Sequence, residues 1–231
     1  MKCSVIVPAG GSGERFGGDL PKQFVELGGI PIIIRTIQSF EKIDAIETVV
    51  ISVHSDWYSH MKKLLEKYNI SKVKELTFGG ETRQMSVLNA LSTKPVKDSE
   101  IVLVHDAVRP FAGEELLNRI IETTKEYGAA VPILKPKDTI KEISSRGSIV
   151  RTYDRNKTVA VQTPQGFWTD ILQSAYNSAK QSGYTGTDDA SLVEFIGYKI
   201  QAVEGDPANI KITDPLDLRL AELIIGNAIA E

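Results

Sequence analysis

Residues 4–24 read SVIVPAGGSGERFGGDLPKQF, and their order decides what kind of fold the chain builds. Residues 4–7 are a short apolar, β-branched run, which suits a strand buried on both faces of a parallel sheet. Pro8 lacks a backbone N–H and is expected to end the strand pairing. Gly10, Gly11, Gly13, Gly17 and Gly18 crowd the loop that follows. Glycines let a backbone approach a ligand closely, and exposed N–H groups in such a loop form an anion-binding concavity. Arg15 and Lys22 place two cations inside it. Strand, glycines and cations in this order predict a polyphosphate site at a strand end. The plainer alternative is a flexible loop with ordinary surface charges.

Two familiar phosphate loops are excluded. No glycine here is followed by lysine, so the Gly-Lys-Ser/Thr of a P-loop is missing. A dinucleotide fingerprint starts correctly at Gly11 and Gly13 but meets Phe16 where its third glycine belongs. The acid that should follow about 20 residues on, to bind a ribose, is absent as well.

Strand and helix patterns alternate outward from this stretch. Ile33, Ile37 and Phe40 have helical spacing after Pro31, and residues 48–53 read as a second strand. Trp57, Met61, Leu64, Leu65 and Tyr68 form one helix face. A strand at 73–78, a helix at about 82–91, a strand at 101–104, a helix around 116–121 and a strand at 129–134 follow. This repetition predicts an α/β fold, Rossmann-like, with a mostly parallel twisted sheet and helices on both faces. The pattern breaks at 136–162, a polar stretch with β-like runs at 139–143, 149–153 and 158–162. It predicts a projecting hairpin and a return strand. A helix from Trp168, a short helix at 187–195 capped by Thr187 or Asp188, a strand at 198–203 and a last helix opened by Asp214-Pro215 complete the chain. One domain spanning 1–231 is expected, since no linker or repeat appears.

Composition narrows the classes of function. The 231 residues are 25% charged and 42% hydrophobic with a net charge of −3, which argues against a nucleic-acid or membrane surface. Cys3 is the single cysteine, so no internal disulfide forms, in keeping with a reducing cytoplasm. The apolar run at the start is too short for a signal peptide, and nothing approaches a membrane span. The three histidines are scattered, without zinc-site spacing.

Polar clusters follow the predicted strands, where open α/β sheets bind ligands. Residues 79–86, GGETRQMS, either admit and read a base or form a turn capped by Thr82. In HDAVRP at 105–110, Asp106 is a candidate metal or ligand contact beside the phosphate loop, and Arg109 offers a planar fork for a phosphate. His105 is expected to be packed rather than to act as a base. In NIKIT at 209–213, Ile210 and Ile212 point one way and Lys211 the other, either to solvent or into the site.

These motifs occur in a recognisable order. Gly-x-Gly-x-Arg with Pro21-Lys22-Gln23, Gly79-Gly80-x-x-Arg83, His105-Asp106-Ala107-x-Arg109-Pro110, Asp138-Thr139, Gln162-Thr163-Pro164-Gln165, Thr187-Asp188-Asp189 and Asn209-Ile210-Lys211-x-Thr213 together resemble the 2-C-methyl-D-erythritol 4-phosphate cytidylyltransferases of the non-mevalonate isoprenoid pathway. The resemblance runs from Val5 to the last helix. The related ribitol-5-phosphate cytidylyltransferases are the alternative, to which HSDWYSH at 54–60 looks closer. Arg155, VAVQTPQ at 159–165, TDDAS at 187–191 and VEG at 203–205 look like the methylerythritol enzymes. One departure is Ala9-Gly10-Gly11, where Ala-Ala-Gly is common in that family. A non-catalytic nucleotide-binding regulator on the same fold is the alternative outside enzymes; retention of Arg15, Lys22 and Lys211 together argues against it.

The resemblance implies CTP and a sugar-alcohol phosphate as substrates and Mg²⁺ as cofactor. It implies that Arg15, Lys22 and Lys211 surround the reacting phosphates. Pro8, Ala9, Gly10, Gly11, Gly13, Gly80, Glu81 and Ser86 are the implied nucleotide contacts. Asp106 is counted with the nucleotide, the acceptor and the metal. Arg109, Thr139, Arg155, Thr163 and Thr187 are the implied acceptor contacts. The arm at 136–162 is expected to pair with a second chain in a homodimer, because a hairpin with exposed apolar residues needs cover.

Overall fold

The computed structural model of the chain describes residues 1–11 and 20–230, the last four of these as backbone only. In order the elements are β1 (Cys3–Ala9), a small hairpin of β2 (Glu26–Leu27) and β3 (Ile30–Pro31), α1 (Ile32–Glu41), β4 (Ile46–Val53), α2 (Tyr58–Lys67), β5 (Val73–Phe78), α3 (Arg83–Leu91) and α4 (Lys94–Lys97). Then come β6 (Ile101–Val104), α5 (Glu114–Tyr127), β7 (Ala129–Leu134), β8 (Lys141–Ile143), β9 (Ile149–Thr152), β10 (Ala160–Val161) and β11 (Gln165–Trp168). The chain closes with α6 (Thr169–Ser182), α7 (Asp189–Phe195), β12 (Gln201–Glu204) and α8 (Pro215–Ala230).

The central sheet runs β5-β4-β1-β6-β11-β7, and β12 also pairs with β7. Among the described strands of this sheet, only β11 and β10 run antiparallel to their neighbours. Strand alternation divides the core in two. Val5, Val7, Val49, Ile51, Ile101 and Leu103 face α1, α2 and α5, while Ile6, Val50, Val102 and Val104 face α3, α4, α6 and α7. A smaller cluster ties α8 to the β2–β3 hairpin through Leu27, Ile212 and Ala221. The α/β architecture read from the sequence is therefore the one observed.

Three expectations need correcting. Pro8 does not end the strand: β1 continues to Ala9, with Pro8 opposite Ser52 of β4. The reason lies in β6, whose pairing with β1 stops at Ile6. The Ile6 carbonyl accepts the N–H of His105, so Ile6 faces the β6 side, and Pro8, two residues on, faces the same way past the end of β6. Its missing N–H deprives no strand of a partner. Second, the helix expected from Trp168 is preceded by a strand, β11, inserted between β6 and β7. Gln165 and Gly166 hide it, since neither is a strand former. Third, the late strand is shorter than 198–203, beginning at Gln201.

Gly166 is required there by packing. A Cβ on it meets the Thr124 hydroxyl, Ile120 Cγ2 at 2.9 Å and Leu103 Cδ2 at 3.1 Å. Gly166→Ala is therefore expected to destabilise the fold by about 1–3 kcal/mol. Chemical denaturation reads it directly; an unchanged midpoint means that α5 yields without cost.

The predicted arm is present as a separate two-stranded sheet of β8 and β9. Its polar face is closed by Arg151, which sits 2.6 Å from Glu142 and stacks over Tyr153. Its apolar side chains are bare: Ile143, Ile149 and Val150 are 64%, 58% and 57% exposed.

Candidate active site

From β1 the chain passes outward to β4 and β5, then crosses back to β6 on the other side of β1. Such a reversal opens a crevice at the carboxyl ends of the two central strands. A cavity of about 200 Å³ lies there. One wall is the end of β1, residues 8–11; the second is Gly80, Glu81, Thr82, Arg83 and Ser86; the third is Asp106, Ala107 and Val108; Lys22, Gln23 and Lys211 complete it.

Backbone-to-backbone packing makes the first two walls a narrow slot. A Cβ on Gly79 lies 3.4 Å from Gly10 Cα, and one on Gly10 lies 3.2 Å from Ser86 Oγ. The turn behind Gly80 is held by Ser86, whose Oγ accepts the Gly80 N–H at 3.0 Å and donates to Thr82 O at 3.0 Å. Thr82 caps α3, its Oγ1 accepting the Met85 N–H at 3.1 Å. Capping and ligand access, read from the sequence as alternatives, are thus compatible. Buried Gln23 reaches back from the turn at Lys22 and donates to Ala9 O at 2.8 Å and to Gly11 O at 3.3 Å.

Charge gathers at Asp106. Lys211 Nζ stands 2.9 Å from its Oδ2, Arg109 Nε 3.4 Å from the same oxygen, and Arg83 Nε 3.5 Å from Oδ1. Burial alone pushes a carboxyl up, but here Arg83, Lys211 and Arg109 together hold Asp106 well below the usual carboxylate range. Arg83 also lies 2.7 Å from Asp189. Arg83, Arg109 and Lys211 thus converge on Asp106, with Lys22 in the same cavity, and this concentration of cations is what a site for phosphates needs, although Glu81 also lines the wall. Lys211 points into the site; Ile212 is buried on the opposite side.

A buried polar network sets this cluster from behind. Burial pushes the His105 imidazole down to about 4, so it is neutral at pH 7. Its Nε2 lies 3.0 Å from the Arg109 carbonyl, which can only accept, so Nε2 carries the hydrogen. Nδ1 then accepts from the Thr163 hydroxyl at 3.1 Å, and Thr163 Oγ1 accepts the Asp106 N–H at 3.1 Å. Asn209 donates to Thr163 O, and its own carbonyl receives Arg109 and Gln162. His105 is packed, as expected.

Among the sequence candidates, Pro8, Ala9, Gly10, Gly11, Lys22, Gly80, Glu81, Ser86, Asp106 and Lys211 line one cavity. Arg109 and Thr163 stand behind it, bonded to Asp106. Thr187 is exposed, next to the α7 cap, which is Asp188. Thr139 and Arg155 meet each other at 3.1 Å on the arm and are not among the lining residues of their own chain's cavity. Gly13 and Arg15 fall outside the described residues. Sequence reasoning singled out none of Gln23, Arg83 or Asp189: all three stood inside quoted motifs, Arg83 in the cluster read as a base contact or turn, and a glutamine following Lys22 gave no sign that it would be buried.

A glycine slot and clustered cations at the switch point of a mostly parallel sheet fit the nucleotide-phosphate site of an α/β protein. A family model described as 2-C-methyl-D-erythritol 4-phosphate cytidylyltransferase matches residues 3–227. The chain is 44% identical over 231 residues to the protein of that name from Geobacillus kaustophilus, covering 100% of both. It is 42% identical over 219 residues to that of Bacillus mycoides, 95% of this chain and 96% of the relative. The crystal structure of 4-diphosphocytidyl-2C-methyl-D-erythritol synthase from Anaerococcus prevotii superposes with a TM-score of 0.86 at 31% identity, covering 97% of this chain and 96% of that one. The corresponding cytidylyltransferase of Thermus thermophilus gives 0.77 at 33% identity, over 97% and 98%. The chain belongs to the 2-C-methyl-D-erythritol 4-phosphate cytidylyltransferase family.

Proposed function

We propose that this chain transfers the cytidylyl group of CTP to 2-C-methyl-D-erythritol 4-phosphate, giving 4-diphosphocytidyl-2-C-methyl-D-erythritol and pyrophosphate. The family match over residues 3–227 carries the reading. The acceptor phosphate oxygen attacks the α-phosphorus in line; that O–P bond forms as the bond to pyrophosphate breaks. No side-chain nucleophile is needed, so the protein's work is positioning and charge stabilisation. Lys22 and Lys211 are assigned to the α-phosphate and the departing pyrophosphate, with Arg15 beside them. Residues 8–11 with Gly13, Gly80, Glu81 and Ser86 hold the nucleotide. Arg109, Thr163 and Thr187 serve the acceptor, with Thr139 and Arg155 supplied from the arm of a partner chain.

Mg²⁺ belongs to this reading. Asp106 is a hard-oxygen ligand lining the cavity, with Glu81 in the facing wall, and among the described residues no group of three His, Cys, Asp or Glu could hold a metal alone. One or two carboxylates plus nucleotide phosphates is the donor set Mg²⁺ accepts. Bound there, it supplies neutralisation of phosphate charge. A cytoplasmic setting fits the single cysteine, and no described helix is long and apolar enough to cross a membrane.

The test is pyrophosphate release from CTP with each acceptor. Release with 2-C-methyl-D-erythritol 4-phosphate is expected. Release with ribitol 5-phosphate alone moves the assignment to that relative; release with neither leaves the nucleotide-binding regulator. The slot between residues 8–11 and Gly79-Gly80 also predicts CTP over ATP and GTP. Equal turnover with ATP at matched concentration removes this account of base choice.

A further inference from the structure

Asp189 has no exposed surface, and nothing in the reaction above uses it. It is the first residue of α7. An ionised carboxylate inside a protein has to be compensated closely. Asp189 takes the Arg83 guanidinium at 2.7 Å on one oxygen and the hydroxyl of buried Tyr176 on the other.

The plain account is an ion pair that anchors α7. That helix is already anchored without it. Asp188 accepts the Ser191 N–H at 2.9 Å and Ser191 reciprocates, closing a capping box. Gln165 donates to Asp188 and accepts the Ala190 N–H. The segment before α7 is tied to α3 by Gln84, which donates to Tyr184 O and accepts the Gly186 N–H. A neutral residue would anchor the helix with less desolvation. What the charge of Asp189 does accomplish is to fix Arg83, whose Nε faces Asp106 at 3.5 Å while its side chain lines the cavity.

We propose that Asp189 is a positioning residue: it holds the Arg83 guanidinium against one oxygen of Asp106, leaving the other oxygen, which also meets Arg109 at 3.4 Å, to orient Lys211. Lys211 Nζ lies 2.9 Å from that second oxygen. Released from Asp189, Arg83 is drawn toward Asp106 or toward bound phosphates, and Lys211 loses its fixed direction. The proposal rests on the cytidylyltransferase reading, because Lys211 matters here through the phosphates it faces.

The test is a double-mutant cycle on kcat. Asp189→Asn keeps the shape and removes the charge. It should lower kcat about tenfold, through misplacement rather than lost binding, with the KM for CTP within about twofold. In an Arg83→Ala background the same change should lower kcat by less than about twofold. Equal losses in the two backgrounds overturn the proposal. Tyr176→Phe controls for stability, since it removes the hydrogen bond that Tyr176 donates to Asp189 and leaves the charge. It should lower the melting temperature and spare kcat; a kcat loss matching that of Asp189→Asn makes Asp189 merely structural and also overturns the proposal. NMR of the Arg83 guanidinium gives a readout independent of turnover. Separate, slowly exchanging signals are expected in the wild type and averaged ones in Asp189→Asn; identical spectra overturn the proposal. Wild-type enzyme inactive with CTP and 2-C-methyl-D-erythritol 4-phosphate sinks the functional reading instead, while the guanidinium spectra still decide the role of Asp189.

Discussion

Lys211→Ala is expected to lower turnover about 10²–10³-fold, the cost of removing one contact that stabilises developing charge. The fold should survive it. The Lys211 side chain is 41% exposed, while Ile212 beside it is buried and holds the segment. Asp106 is not orphaned either, since Arg83 and Arg109 remain beside it. The effect should fall on kcat more than on the KM for CTP. Negative charge moves onto pyrophosphate as its bond to the α-phosphorus breaks, so a cation there gains most in the transition state. Lys22→Ala is expected to behave alike, because Lys22 lines the same cavity. Steady-state kinetics with a melting curve make the check. A variant that melts normally and keeps more than about half its activity removes that lysine from the catalytic set.

The fold was legible where one physical signal dominated. Residues 101–104 and 129–134 are apolar runs between helical patterns, 73–78 is a mixed run with Val73, Leu76 and Phe78, and the strands found there have those bounds. Legibility failed where tertiary context overrode local preference. Gln165-Gly166 is a poor strand taken individually, yet α5, packed over the sheet with Ile120 and Thr124, leaves no room for a side chain at 166. Pro8 breaks a strand in general but not at a position whose neighbour strand has already ended. Much of the cavity was legible because its residues follow strand ends in turn, and the topology of an open α/β sheet collects strand ends in one place. Alternation left the direction of Lys211 undecided; that depends on the Asp106 carboxylate, which comes from the turn after β6, about a hundred residues earlier. The same holds for Arg83 and Asp189, whose pairing joins α3 to α7 and has no local sequence signal.

Mixing two inactive chains, Arg155→Ala and Lys22→Ala, is expected to restore activity. Arg155 and Thr139 lie together on the arm, bonded to each other, and their own chain's cavity does not include them in its lining. The arm stands apart from the central sheet and carries Ile143, Ile149 and Val150 bare on its apolar side. Two copies related by a two-fold axis cover such a surface with one self-complementary contact. If each arm then reaches the neighbour's cavity, a site draws Lys22 from one chain and Arg155 from the other. In a mixed dimer one site collects both defects and the other collects neither. Random assortment makes half the dimers mixed, and half the sites in those are intact, so activity should return to about a quarter of wild type. Each variant alone stays at its background. The measurement is pyrophosphate release after subunit exchange, with exchange verified by differently tagged chains. No recovery in a mixture that has demonstrably exchanged means that Arg155 serves its own chain or none, and the arm then has no part in the neighbouring site.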